Sequence, residues 1–304
     1  MKILFVGKFN PYSWGEYPTE YFISEAFRKN GIVVVQVDID KFSNYEVTKR
    51  IVQWSKDCDL VLFTSGILQL ALSDFEWICN QIIIPKILYT NDWIFLDKER
   101  EKIYLERFPF VDLLITSDSF DYSKDGIKQI RIPMACLPSY EFNPMPQKDL
   151  VFIGAVHYSK ERREFLDKIS KCFGNLDIYG HCGNNTSVYT KELEVVLQRH
   201  RITLGHNCVN SKGYWSSRNY IVPGYGGFLL TPYVAGLEEE FENKKHIVWY
   251  KDFEECVDLI AYYLKYADER EEIRQQGYEY TQKVHNWDNR AKEFARIFRE
   301  IKGE

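Results

Sequence analysis

The stretch Leu137-Pro138-Ser139-Tyr140-Glu141-Phe142-Asn143-Pro144-Met145-Pro146 divides the chain. Three prolines fall within nine positions. Each fixes φ and removes an amide donor, so neither a helix nor a central strand passes through. On both sides, short β-branched runs alternate with amphipathic stretches, the pattern of a parallel sheet covered by helices. Upstream the runs are 3–6, 32–37, 60–63, 87–89, 113–115 and 130–132, with helices predicted over 19–30, 47–56, 75–80 and 96–107. Gly31 follows Asn30 where the first helix must stop. Downstream the runs are 150–153, 176–179, 202–204, 228–230 and 247–249, with helices over 162–172, 191–199, 253–264 and 269–285. A last helix, 289–302, sets Ala291, Phe294, Ala295 and Phe298 on one stripe, with Asp288 as its candidate N-cap.

The chain therefore reads as α/β, with two Rossmann-like domains, 1–143 and 144–304, facing a cleft. Its 304 residues fit two domains of roughly 150, each able to bury its own core. A hydrophobic share of 45% and a charged share of 27% exclude a disordered, collagenous or coiled-coil chain. The 16% aromatic content is read as core packing rather than stacking surface. Lys+Arg 39 against Asp+Glu 44 gives a net charge of −5, which lacks the basic balance of a duplex binder. Seven scattered cysteines without a CxxC pair read as buried thiols in a reducing compartment. The apolar run 3–6 is too short for a signal peptide, and the uncharged segment 219–237 holds Pro223, Pro232 and four glycines, so a spanning helix is not expected. The expectation is a soluble, cytoplasmic protein.

Open α/β sheets bind ligands beyond the carboxyl ends of their strands, so the loops there hold the candidate residues. The first loop, Gly7-Lys8-Phe9-Asn10-Pro11-Tyr12-Ser13-Trp14-Gly15-Glu16, is not GxGxxG and brings Tyr12, Trp14 and Glu16 to the edge. Asp92, after the run 87–89, suits a carboxylate that orients or deprotonates a hydroxyl; Asp118, after 113–115, has a weaker claim. In the second half, Ile153-Gly154-Ala155-Val156-His157-Tyr158-Ser159-Lys160-Glu161-Arg162-Arg163 leads from a strand into a helix start, and Lys160, Arg162 and Arg163 beside its amides favour a diphosphate. Tyr179 and Gly180 end another strand. Gly213-Tyr214-Trp215-Ser216-Ser217-Arg218 opens a short helix whose arginine offers a fork for phosphate, and Gly226-Gly227 permits close backbone approach. The Asp38-Ile39-Asp40 match to a metal-binding DxD stands alone and is rejected. The six histidines show no HxxxH or HxH spacing, so no metal site is indicated.

Over these motifs, and through Gly236-Leu237-Glu238-Glu239-Glu240-Phe241 and His285-Asn286-Trp287-Asp288-Asn289-Arg290, the second half resembles the glycosyltransferase group typified by the CgeB-like spore maturation proteins, of the two-Rossmann (GT-B) superfamily. The resemblance implies a metal-independent glycosyltransferase with no cofactor, moving a hexosyl or pentosyl unit, with retention, from a nucleotide-diphosphate sugar such as a UDP-sugar to a hydroxyl. The C-terminal domain would bind the donor through Gly154, Lys160, Arg162, Tyr179, Gly180, Tyr214, Ser217, Arg218, Gly226 and Gly227. The N-terminal domain would bind the acceptor through Tyr12, Trp14, Glu16 and Asp92. Asp92, Glu16 and Arg218 would be the catalytic set, and the last helix would cross back to pack on the first domain. One position departs: Ile221 stands where many relatives carry a glutamate that holds ribose or sugar, so either Glu238 or Glu239 grips the nucleotide instead, or the donor is unusual, or activity is lost. The acceptor is open among a glycan, a small molecule and a hydroxymethylated base in DNA. A non-catalytic nucleotide-binding relative and a homodimer also stay open.

Overall fold

The computed structural model describes residues 1–12, 16–157, 159–209 and 211–303. Contacts divide the chain into two compact units: Met1–Met134 with Trp287–Glu304, and Ala135–Asn286.

In the first unit the order is β1 (Lys2–Gly7), α1 (Thr19–Lys29), β2 (Val33–Asp38), α2 (Asn44–Ser55), β3 (Leu60–Thr64), α3 (Leu72–Gln81), β4 (Lys86–Thr90), α4 (Lys98–Leu105), β5 (Leu113–Thr116) and β6 (Gln129–Arg131). The strands pair in parallel in the order β2-β1-β3-β4-β5-β6. β1 and β3 are unbroken apolar runs because helices cover both faces of the sheet; Ile3, Leu4, Phe5 and Val6 are fully buried. α1 stops where the Asn30 amide turns back to the Ala26 and Phe27 carbonyls and Gly31 takes a positive φ. A capping box between Ser43 and Glu46 starts α2, so that helix begins earlier than its apolar stripe suggests.

The second unit runs β7 (Lys148–Ile153), α5 (Lys160–Phe173), β8 (Leu176–Tyr179), α6 (Thr190–Arg199), β9 (His200–Leu204), α7 (Arg218–Gly224), β10 (Leu229–Pro232), β11 (Val248–Tyr250), α8 (Phe253–Lys265) and α9 (Ala267–Val284). Its strands are also parallel, in the order β11-β10-β9-β7-β8. Strand order therefore reverses between β1 and β3 in one unit and between β7 and β9 in the other. These are the two points where a doubly wound sheet opens a crevice.

The proline-rich stretch is not a free linker, and the boundary expected at 143/144 moves to 134/135. The Ser139 hydroxyl and the Tyr140 and Glu141 amides donate to the Glu194 carboxylate on α6. The Asn143 amide donates to Gln198 at 2.8 Å. Phe142 stacks on Tyr278 of α9 with ring centroids 4.5 Å apart. Prolines excluded regular structure here, and the remaining amides found side-chain acceptors instead.

The chain then returns to the first unit as α10 (Trp287–Lys302). The helix starts at Trp287, so Asp288 is not its cap; it lies in the first turn and pairs with Lys29 of α1. Phe294 meets Phe27 at 5.4 Å, Tyr89 at 5.4 Å and Phe298 at 5.7 Å between centroids. Phe5, Phe27, Phe63, Phe75, Phe152 and Phe228 are fully buried, whereas Tyr17, Tyr45, Trp77, Tyr140, Tyr233, Tyr262 and Tyr266 are exposed. Cys58, Cys79, Cys136 and Cys256 are buried, but Cys172, Cys182 and Cys208 are exposed, against the expectation for a set of buried thiols. Among the described residues no helix is long and apolar enough to cross a membrane.

Because Phe294 is fully buried among three aromatic rings, Phe294→Ala is expected to lower stability by about 3–5 kcal/mol in urea denaturation. A loss below about 1 kcal/mol contradicts the place given to α10.

Candidate functional site

In the second unit, β7 gives way to Gly154 at φ +139° and β8 to Gly180 at φ +145°. The two turns touch: the Gly154 amide donates to the Tyr179 carbonyl at 2.8 Å. A Cβ on Gly180 would lie 2.4 Å from the Gly154 carbonyl oxygen, and one on Gly154 would lie 2.8 Å from the Arg218 guanidinium. Only glycine fits at either position.

Two arginines meet across the β7/β9 reversal. Arg162, in the first turn of α5, donates to the Ala155 carbonyl at 2.7 Å and the His206 carbonyl at 3.0 Å. Arg218, which opens α7, donates to the Ile153 carbonyl at 3.2 Å and to the same His206 carbonyl at 2.7 Å. Both lie over the Phe152 ring, at 5.4 and 5.2 Å. Backbone dipoles thus hold two like charges together. Burial, and then Arg162, pull Arg218 down to about 10, which still leaves it charged at neutral pH. Burial and the same two guanidiniums push His206 down to about 4, so its imidazole is neutral. Among the described residues no carboxylate pairs with Arg218, and its buried Nε has no acceptor.

Other candidates gather at this edge. Lys160 is exposed at the start of α5 and pairs with Glu164 at 3.5 Å. Ser159 caps α5 by accepting from the Arg162 amide. Tyr179, Tyr214 and Ser217 are each partly exposed. Gly226 and Gly227 are not part of it. They sit at the amino end of β10, the opposite edge of the sheet, where a Cβ would strike Phe142 at 2.8 Å and Val222 at 2.8 Å respectively. The pair serves internal packing rather than ligand approach. Ile221 is on α7, while Glu238 follows β10 at the carboxyl edge and accepts from the Tyr233 hydroxyl at 3.2 Å and the Gly236 amide at 3.1 Å.

In the first unit a cavity of about 660 Å³ opens at the ends of β1, β3 and β4, beside the β1/β3 reversal. Tyr12 and Asp92 line it together with Glu20, Lys8, Asn91 and Arg100. Asp92 is half-exposed and lies 3.4 Å from Arg100. Glu20 crosses over the end of β1, where a Cβ on Gly7 would sit 3.0 Å from its Cγ. Burial holds the Glu20 carboxyl above its ordinary value, against hydrogen bonds from its own backbone and Thr64. Burial, and then Glu20 and Glu16, raise the Tyr12 phenol. Nothing in the sequence singles out Glu20, since a carboxylate in a first helical turn is ordinary at the positive end of a helix dipole.

Glu16 is not among the residues lining the cavity; its carbonyl accepts from the Tyr12 amide at 2.8 Å. Trp14 lies outside the described residues. Asp118 is fully buried, accepting from the Phe120 amide at 2.8 Å and the Tyr122 hydroxyl at 3.2 Å, so it ties a loop and has no access to ligand. Asp38 accepts from Asn10 and the Asp40 amide, and Asp40 pairs with Lys8 at 3.1 Å.

Solved structures share this architecture throughout. The Anabaena protein HepE in complex with UDP and glucose superposes with a TM-score of 0.72 at 9% identity, covering 99% of this chain and 100% of that one. Sucrose-phosphate synthase from Thermosynechococcus elongatus gives 0.67 at 10% identity, covering 100% of both chains. An alpha-glucosyltransferase in complex with UDP and a 13-mer DNA containing a central A:G mismatch gives 0.70 at 12% identity, covering 98% and 99%. The fold is that of the GT-B glycosyltransferases. Residues 160–296 match the family model described as glycosyl transferase-like. Among curated proteins none matches the sequence.

Burial raises the Asp118 carboxyl to about 6. A raised acid stabilises the fold below its unfolded value near 4 and loses that contribution as pH climbs through 6. Between pH 4 and 7, the stability of the native chain relative to Asp118→Asn is expected to fall by about 2–3 kcal/mol in denaturant titrations. A pH-independent difference contradicts the assignment.

Proposed function

We propose that the chain transfers a hexosyl or pentosyl unit from a UDP-sugar to a hydroxyl acceptor, without a divalent cation or other cofactor and with retention. The observation that carries this reading is the Arg162–Arg218 pair at the β7/β9 reversal, where Arg218 has a charge but no counter-ion among the described residues. A leaving nucleoside diphosphate supplies the missing negative charge, and a preorganised guanidinium pair stabilises it as the glycosidic bond breaks. Lys160, the amides after Gly154, Tyr179, Gly180, Tyr214 and Ser217 complete the donor set. Glu238 stands in for the glutamate replaced by Ile221 and takes the ribose or sugar hydroxyls.

The first unit takes the acceptor, with Asp92 and Glu20 accepting from its hydroxyl and Tyr12 beside them. The cavity is lined by Glu20, Asp92, Asp97 and Glu99 against Lys8 and Arg100. That acidic excess suits a neutral polyhydroxyl compound and repels a nucleic-acid backbone, which disfavours modified DNA as acceptor.

Incubation with a panel of UDP-sugars and saccharide acceptors is expected to give transfer that survives EDTA, with the donor's anomeric configuration kept in the product's NMR coupling. Arg218→Ala is expected to cut kcat by on the order of 10². Native kinetics in that folded variant, or loss of turnover on chelation, overturns the proposal; donor binding without any turnover identifies a non-catalytic relative.

A further inference from the structure

Three potential metal ligands that are far apart in the sequence meet at the carboxyl edge of the second unit. His157 lies between β7 and α5; His181 and Cys182 lie between β8 and α6. Their ligating atoms all fall within 4.8 Å of one another, and all three residues are exposed. The two imidazole rings stand at 86° with centroids 4.6 Å apart.

The backbone beneath them is fixed. The Val156 amide donates to the His181 carbonyl at 3.1 Å, the Gly154 amide to the Tyr179 carbonyl at 2.8 Å, and the Gly183 amide to the Gly180 carbonyl at 3.0 Å. Cys182 occupies the left-handed region at φ +62°, unusual for a residue with a side chain. That turn sets its thiol within reach of the adjacent His181 imidazole and of His157 on the neighbouring loop.

We propose that His157, His181 and Cys182 form a Zn²⁺ site that clamps the β7–α5 loop to the β8–α6 loop. Two imidazoles and a thiolate are the borderline and soft donors that favour zinc over magnesium or calcium. Tetrahedral geometry at bond lengths of about 2.0–2.3 Å needs ligand atoms roughly 3.3–3.7 Å apart, so the side chains close by about 1 Å on binding. Three protein ligands leave one position for water. The site lies on the loops that carry the proposed donor residues, but its metal takes no part in the transfer step and its binding does not depend on that reading.

The test uses the full chain after EDTA dialysis. Calorimetry with ZnCl₂ is expected to show one Zn²⁺ per chain and a rise in melting temperature. Co²⁺ is expected to give a thiolate charge-transfer band. His181→Ala and Cys182→Ser each weaken Zn²⁺ binding by at least about tenfold and remove the thermal rise, and Cys182→Ser also removes the band. All of these persist in Cys208→Ser, which lacks another exposed thiol. Absence of stoichiometric binding in the native chain, or binding unchanged in both ligand variants, overturns the site whether or not the transferase reading holds.

Discussion

The second unit is organised around a shared acceptor: the His206 carbonyl, which takes a hydrogen bond from Arg162 and another from Arg218. Two guanidiniums do not settle side by side in a partly buried place without reason. Here the Ile153, Ala155 and His206 carbonyls and the face of Phe152 hold them. The arrangement constrains its surroundings. Gly154 must lack a side chain because Arg218 occupies that space, and Gly180 must lack one because Gly154 does. His206 is kept neutral by burial and the same pair of charges. The fold thereby spends two strand ends, two helix starts and two glycines on keeping positive charge at the reversal of the sheet, where a doubly wound fold receives a ligand.

The first unit has the opposite character. Its cavity also lies beside a reversal of strand order, but carboxylates outnumber cations in the lining. Glu20 keeps a raised affinity for its proton because burial outweighs the hydrogen bonds it accepts. One duplicated architecture thus places guanidiniums at one reversal and carboxylates at the other, a difference set by a few side chains at the strand ends. Fold alone fixes neither.

Much of this was legible in the sequence because buried parallel strands leave continuous apolar runs, which survive any tertiary context. The helices were equally visible where an apolar stripe faces the sheet, as with Phe294 and Phe298. The proline-rich stretch lies inside the second unit rather than between the two, since prolines reveal where regular structure fails and not which neighbour captures the remaining amides. Glu194 and Gln198 decided that. Gly226 and Gly227 misled because a glycine pair looks the same whether a ligand or Phe142 comes close. Asp92 and Asp118 follow successive strands in similar contexts, yet one lines a cavity and the other is sealed beneath Tyr122. Glu20 and the His157–His181–Cys182 cluster were hidden for a related reason: proximity across β7 and β8, or over the end of β1, is a product of topology rather than spacing.

A crystal structure of the chain with bound UDP tests directly whether the guanidinium pair receives a diphosphate. The prediction is that the diphosphate oxygens lie within hydrogen-bonding distance of Arg218, over the β7/β9 reversal and next to the Gly154 turn. UDP bound elsewhere on the second unit, with Arg218 bonded only to backbone carbonyls, contradicts it.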